Sequence, residues 1–75
     1  MSKLPNITPQ TLIKILKSIG FELDHTTGSH YIFRHPISKR RVTIPYHSKD
    51  LPKGTIMSIL KEAGITKKDL EDFLK

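Results

Sequence analysis

Thr27-Gly28-Ser29-His30-Tyr31 sets a serine and an imidazole directly after a glycine turn, at the head of the apolar run Tyr31-Ile32-Phe33. Such a turn holds an imidazole at the edge of a sheet, near the wet end of a hairpin. A free histidine has a pKa of ~6.5, so it can take and give protons near neutrality. His30 is therefore the first candidate for proton-transfer chemistry. The chain has no cysteine. That removes thiolate nucleophiles, disulfides and thiolate metal sites, and fits a cytoplasmic setting.

Charge indicates what the histidine would act on. Thirteen Lys and Arg stand against seven Asp and Glu, a formal net charge of +6. A net charge of about 2 to 8 is ordinary for a small soluble domain, so the distribution has to decide. Acids gather at Glu22 and Asp24 and again at Glu62, Asp69, Glu71 and Asp72, and the segment from Thr26 to Lys49 contains none. That segment holds Arg34, Lys39, Arg40, Arg41 and Lys49. A polarised pattern of this kind favours an anionic partner, with nucleic acid the first candidate.

RNA carries its own nucleophile. Removing the proton of a 2′-OH lets that oxygen attack the adjacent phosphorus and break the chain without a metal, and histidine suits the transfer. Negative charge builds on the phosphate in the transition state, where cations stabilise it. Arg34, on the same strand face as His30, is the first choice for that role. Lys14, Lys17, Arg41, Lys49 and Lys53 are candidates to hold the RNA backbone, and Arg40 joins Arg41 beside Arg34. One histidine cannot be base and acid at once. His25, His35, His47 and Tyr46 are open candidates for the second group. Ser29 has no nearby carboxylate to orient a Ser-His pair, so it reads as a turn-capping serine and stands among the RNA contacts. Tyr31 could stack on a base, whereas Phe33 belongs to the core. His25, His30 and His35 invite a metal reading. Strict alternation puts His25 and His35 opposite or edge-on to His30, and the middle lacks carboxylates, so no metal site is expected.

The elements that position these groups follow from periodicity. Thr8-Pro9 is an N-cap and first helical residue. Leu12, Ile15, Leu16 and Ile19 form one apolar stripe, with Lys14 and Lys17 on the opposite face, and Gly20 ends the helix. Phe21 to Thr26 alternates as a strand, with Phe21 and Leu23 inward. Thr27-Gly28 is the turn, and Ser29 to His35 is a second strand with Tyr31 and Phe33 on one side and His30, Ile32 and Arg34 on the other. A loop at Pro36 to Arg40 leads to a third strand, Arg41 to Tyr46, with Val42 and Ile44 inward. After a polar loop, Pro52 opens a second helix with the stripe Ile56, Ile59, Leu60 and Ala63, closed by Gly64. Thr66 and Asp69 resemble a capping box before a short helix whose apolar side is Leu70, Phe73 and Leu74. The expected architecture is α+β in two layers: a three-stranded antiparallel sheet with both long helices on one face, in a single domain over residues 1–75. The core strands would contribute Phe21, Leu23, Phe33, Val42 and Ile44, leaving His30 and Arg34 on the open face. No apolar run reaches the ~20 residues of a membrane span, and the first residues lack the apolar centre of a signal peptide.

These residues match a known pattern. The helix end Ser18-Ile19-Gly20-Phe21, the stretch Gly28-Ser29-His30-Tyr31-Ile32-Phe33-Arg34-His35-Pro36, the strand Arg41-Val42-Thr43-Ile44-Pro45, and Leu51-Pro52-Lys53-Gly54-Thr55 leading to Ile59-Leu60-Lys61-Glu62-Ala63-Gly64-Ile65 occur here in order. Over roughly residues 7 to 66 the chain resembles the HicA toxins, small endoribonucleases that cleave messenger RNA and pair with a HicB antitoxin. The resemblance implies a fold like the double-stranded-RNA-binding domain, in α-β-β-β-α order, to which the residues after Thr66 add the short extra C-terminal helix. It implies that His30 is catalytic, that mRNA is the substrate and a HicB-type antitoxin the inhibitor; no metal, small-molecule cofactor or membrane is expected to take part. The alternatives are a non-catalytic RNA-binding module of the same fold, and a protein-interaction domain whose basic face meets an acidic partner. A pure binder needs no titrating imidazole, and a protein interface would depend less steeply on salt.

Overall fold

A computed structural model describes residues 6–46 and 50–74. The elements run α1 (Pro9–Ser18), β1 (Glu22–Thr27), β2 (His30–Arg34), β3 (Arg41–Pro45), α2 (Lys53–Ala63) and α3 (Lys67–Phe73). The three strands form one antiparallel sheet in the order β1-β2-β3. The fold is α+β, of the double-stranded-RNA-binding-domain type.

Each helix starts and stops where its local chemistry requires. The Thr8 hydroxyl accepts the Thr11 N–H at 3.3 Å, satisfying one orphan donor of α1. Gly64, in the left-handed region at φ +78, ends α2. The Thr66 hydroxyl accepts the Asp69 N–H and the Asp69 carboxylate accepts the Thr66 N–H, both at 3.0 Å. This is the expected capping box, and it holds the Asp69 carboxyl below the usual carboxylate range, chiefly through the Thr66 backbone hydrogen bond.

The two long helices bury their stripes together. Leu12, Ile15 and Leu16 of α1 and Ile56, Ile59, Leu60 and Ala63 of α2 join Phe33, Val42 and Ile44 of the sheet, with Phe21 and Leu70, in one core. Phe33 pairs with Val42, and Tyr31 with Ile44, so these strand residues lie on one face and both helices pack on it. Leu12 is fully buried, and cutting such a side chain to alanine costs about 2–5 kcal/mol.

Two expectations fail here. The first turn is Gly28-Ser29, one residue later than Thr27-Gly28. Gly28 has φ +57 and Ser29 does not share the positive φ, the pattern of a II′ hairpin. Leu23 is 46% exposed rather than part of the core. It pairs with Phe33 and so faces the helical side, but it sits on an edge strand while the helices pack chiefly over β3 at the other edge.

Candidate active site on the open face of the sheet

His30 is the first residue of β2, paired with Thr27 on β1 and Pro45 on β3. Residues paired across an antiparallel ladder share a face, and alternate residues of a strand share it too. His30, Ile32 and Arg34 therefore face away from the helices, with Pro45, Thr43 and Arg41 beside them on β3. His30 is exposed, and its ring has no hydrogen-bond partner among the described residues. The II′ turn and the β2–β3 ladder position it. The Ser29 carbonyl extends that ladder by accepting the Tyr46 N–H at 2.6 Å.

The β1 side of this face departs from strict alternation. Leu23 pairs with Phe33, but His25 pairs with Ile32, so Asp24 is an extra residue in a β-bulge. The bulge moves His25 onto the face of His30, where simple alternation puts it on the other side. The Asp24 carboxylate accepts a hydrogen bond from His25 Nδ1 at 2.7 Å. That bond is the main cause holding the Asp24 carboxyl below its ordinary range, with the charges of Arg41 and Arg34 adding to it. Ile32 is only 9% exposed although it lies opposite the core. On that face it is the centre of the sheet, with His25, Thr43, His30 and Arg34 around it.

The basic residues are dispersed. Arg34 and Arg41 pair directly with each other on the open face, and Glu22 pairs with Arg34 from the other side. They stand at the far end of β2 from His30, four residues along, or roughly 13 Å of strand. A shallow pocket of about 130 Å³ lies at that end, between Glu22, Leu23, Asp24, Arg34 and Pro36. Its two carboxylates make it a poor seat for a phosphate. Arg40 leaves the open face. Its Nη1 donates to the Glu62 carbonyl at 3.4 Å, and its side chain lies against Gly64, so close that a Cβ there would fall 2.8 Å from the guanidinium. Arg40 therefore sits at the carbonyl end of α2, where a cation is favourable. Lys14 and Lys17 are exposed on α1, in the layer behind the sheet. Lys53 is the exposed first residue of α2. Ser29 is exposed in the turn. Lys49 and His47 lie outside the described residues.

Among the candidate second groups, His35 has another task. Its Nδ1 accepts the N–H groups of Ile37 and Ser38 at 3.2 and 3.1 Å, so Nε2 carries the proton and donates to the Ile19 carbonyl at 3.1 Å. The ring also meets Phe21 edge-on, with centroids 5.1 Å apart. His35 thus ties the end of α1 to the β2–β3 loop. Tyr46 stacks on Tyr31 at 4.6 Å, and Tyr31 faces the helical side with Ile44. Among the described residues no three His, Asp or Glu side chains gather as a metal site, and no helix is long and apolar enough to cross a membrane.

The family described as HicA toxin of bacterial toxin–antitoxin matches residues 9–65, from the first residue of α1 to just past α2. The chain belongs to the HicA toxin family. No curated protein matches the chain. The HicA match covers every element that builds the open face, including the II′ turn and His30, and it stops before α3. Membership makes this chain the toxin of a toxin–antitoxin pair, so an antitoxin partner follows. One part of the site escaped the sequence reading, namely that His25 shares the face of His30. From Asp24 to Thr27 no apolar residue marks an inward position, so nothing in the pattern signals the bulge.

Proposed function

We propose that this HicA-family chain is a metal-independent endoribonuclease that cleaves mRNA through His30 and is silenced by a HicB-type antitoxin. The observation that carries the reading is an exposed imidazole at the head of β2, without a hydrogen-bond partner among the described residues, on the same open face as the Arg34–Arg41 pair. Arg34 and Arg41 bind phosphates flanking the cut, because their distance along the strand suits a neighbouring phosphate better than the scissile one. Lys14, Lys17 and Lys53, with Ser29 in the turn, are further contacts for a chain that passes the sheet edge. Lys49 belongs to the same basic set.

His30 acts as a proton-transfer group on the 2′-OH. The freed oxygen attacks phosphorus, the bond to the 5′ oxygen breaks, and the products are a 2′,3′-cyclic phosphate and a 5′-hydroxyl. The nucleophile belongs to the substrate, so the chemistry requires no metal. The whole chain acts as one domain in the cytoplasm, where mRNA and the antitoxin are found together.

The test is cleavage of RNA by purified wild type and His30→Ala. The expected loss is about 10²–10⁴-fold, the usual worth of general acid–base catalysis. The fold should survive, because removing an exposed surface side chain usually changes stability by only about 0.5 kcal/mol. Equal cleavage by the two proteins would overturn the catalytic role of His30, and no cleavage by wild type would leave a non-catalytic RNA-binding module.

A further inference from the structure

Cleavage by internal attack needs a second proton-transfer group, because the departing 5′ oxygen must gain a proton while the 2′-OH loses one. Of the described candidates, His35 has both ring nitrogens engaged with backbone, and Tyr46 is stacked on a side chain of the helical face. His25 is on the face of His30, because the extra residue Asp24 shifts the phase of β1.

We infer that His25, oriented by Asp24, is the general acid that protonates the leaving 5′ oxygen while His30 serves as the base. The inference rests on the ribonuclease reading of the same face and adds a named residue to it. Three observations support it. First, His25 pairs with Ile32, and His30 precedes Ile32 by two, so the two histidines are diagonal neighbours. Such positions lie roughly 7–8 Å apart, room for a phosphate group between two hydrogen bonds of about 2.8 Å each. Second, Asp24 accepts from His25 Nδ1 at 2.7 Å. This fixes which nitrogen is bonded to the protein and leaves Nε2 for the substrate, as a carboxylate does for a catalytic imidazole elsewhere. Asp24 also gives the protonated ring a counter-charge, which His30 lacks among the described residues. Third, Ile32 between them is nearly covered without help from a helix. Among the described residues, the groups available to cover it are its neighbours on that face, His25 and His30 among them.

The proton count balances. His30 takes the 2′ proton, the 2′ oxygen bonds to phosphorus, the phosphorus–O5′ bond breaks, and O5′ takes the proton of His25. Asp24 touches no substrate and is a positioning residue.

The experiment compares wild type, His25→Ala, His30→Ala, Asp24→Asn and Asp24→Glu on ordinary RNA. It repeats the comparison on RNA with sulfur in place of the bridging 5′ oxygen, whose thiolate leaves without a proton. His25→Ala should lose about 10²–10⁴-fold on ordinary RNA and recover most of that loss on the sulfur-bridged substrate. His30→Ala should be slow on both. Asp24→Asn should lower kcat and shift the pH profile with KM little changed, and Asp24→Glu should restore part of the rate. Wild-type cleavage by His25→Ala, with His30→Ala inactive, would overturn the acid assignment and leave the ribonuclease reading standing. So would an equal loss by His25→Ala on both substrates. Cleavage of neither substrate by wild type would remove the ribonuclease reading itself, and the acid with it.

Discussion

Arg34 and Arg41 face each other directly across the β2–β3 ladder, on the side of the sheet away from the helices. Like charges opposite one another weaken a sheet. Glu22 and Asp24 offset part of that repulsion from the β1 side, and a bound phosphate chain would offset the rest. Arg41→Gln should therefore lower RNA affinity and reduce the slope of log affinity against log salt by about 1. The melting temperature should hold or rise. Binding measured on an uncleavable RNA over a salt series checks both. An unchanged slope would remove Arg41 from the interface.

The internal nucleophile is tested separately from His30. RNA with a single 2′-deoxy sugar at the cut site should resist wild type, and cleavage of ordinary RNA should persist in chelator. Product analysis should find a 2′,3′-cyclic phosphate. Cutting at the deoxy site would leave His30 its proton-transfer role but make water the nucleophile.

His35 should matter for folding and not for proton transfer. His35→Ala deletes the acceptor of two backbone N–H groups and the donor to the Ile19 carbonyl. At about 0.5–1.5 kcal/mol for each net hydrogen bond, a loss of roughly 2 kcal/mol is expected in denaturant unfolding. Gly20→Ala should also destabilise, since Gly20 has φ +106 and a Cβ there would stand 2.7 Å from His35 Nε2. Wild-type stability in both variants would refute the tie.

Acid should loosen the end of the chain first. The Asp69 carboxyl is held below its ordinary value by the Thr66 hydrogen bonds. A depressed carboxylate stabilises the fold fully above the unfolded pKa of ~3.9, and the contribution is lost as pH falls through the lower folded value. Asp24 behaves with the same sign through its His25 bond while that bond lasts. Melting temperatures measured from pH 5 downwards should fall less steeply for Asp69→Asn than for wild type. Parallel curves would show that the box contributes nothing to acid sensitivity.

An antitoxin that works by occlusion should cover the open face. Hydrogen exchange on the complex should slow in β2 and in the Gly28-Ser29 turn. Arg34→Glu should slow association with an acidic inhibitor and weaken its dependence on salt. A complex that leaves His30 accessible and cleavage undiminished would exclude occlusion.

The helices and their limits were legible in the sequence because their signals are local. Thr8-Pro9, Gly64 and the Thr66–Asp69 box act within one turn, and the stripes of α1 and α2 recur at helical spacing. His30 was legible for a similar reason: Gly28 fixes the turn beside it, and Phe33 three residues later fixes its phase. Tertiary structure alone decided the rest. Asp24 to Thr27 contains no apolar residue to set a phase, so only pairing with β2 could create the bulge that brings His25 to His30. Leu23 has an inward pattern but no helix above it, because coverage depends on where α1 and α2 dock. His35 and Arg40 look like free polar groups in the chain, and both are engaged by carbonyls distant in sequence, Ile19 and Glu62. Contacts between distant segments leave no periodic trace, since any polar residue at those positions keeps the same pattern.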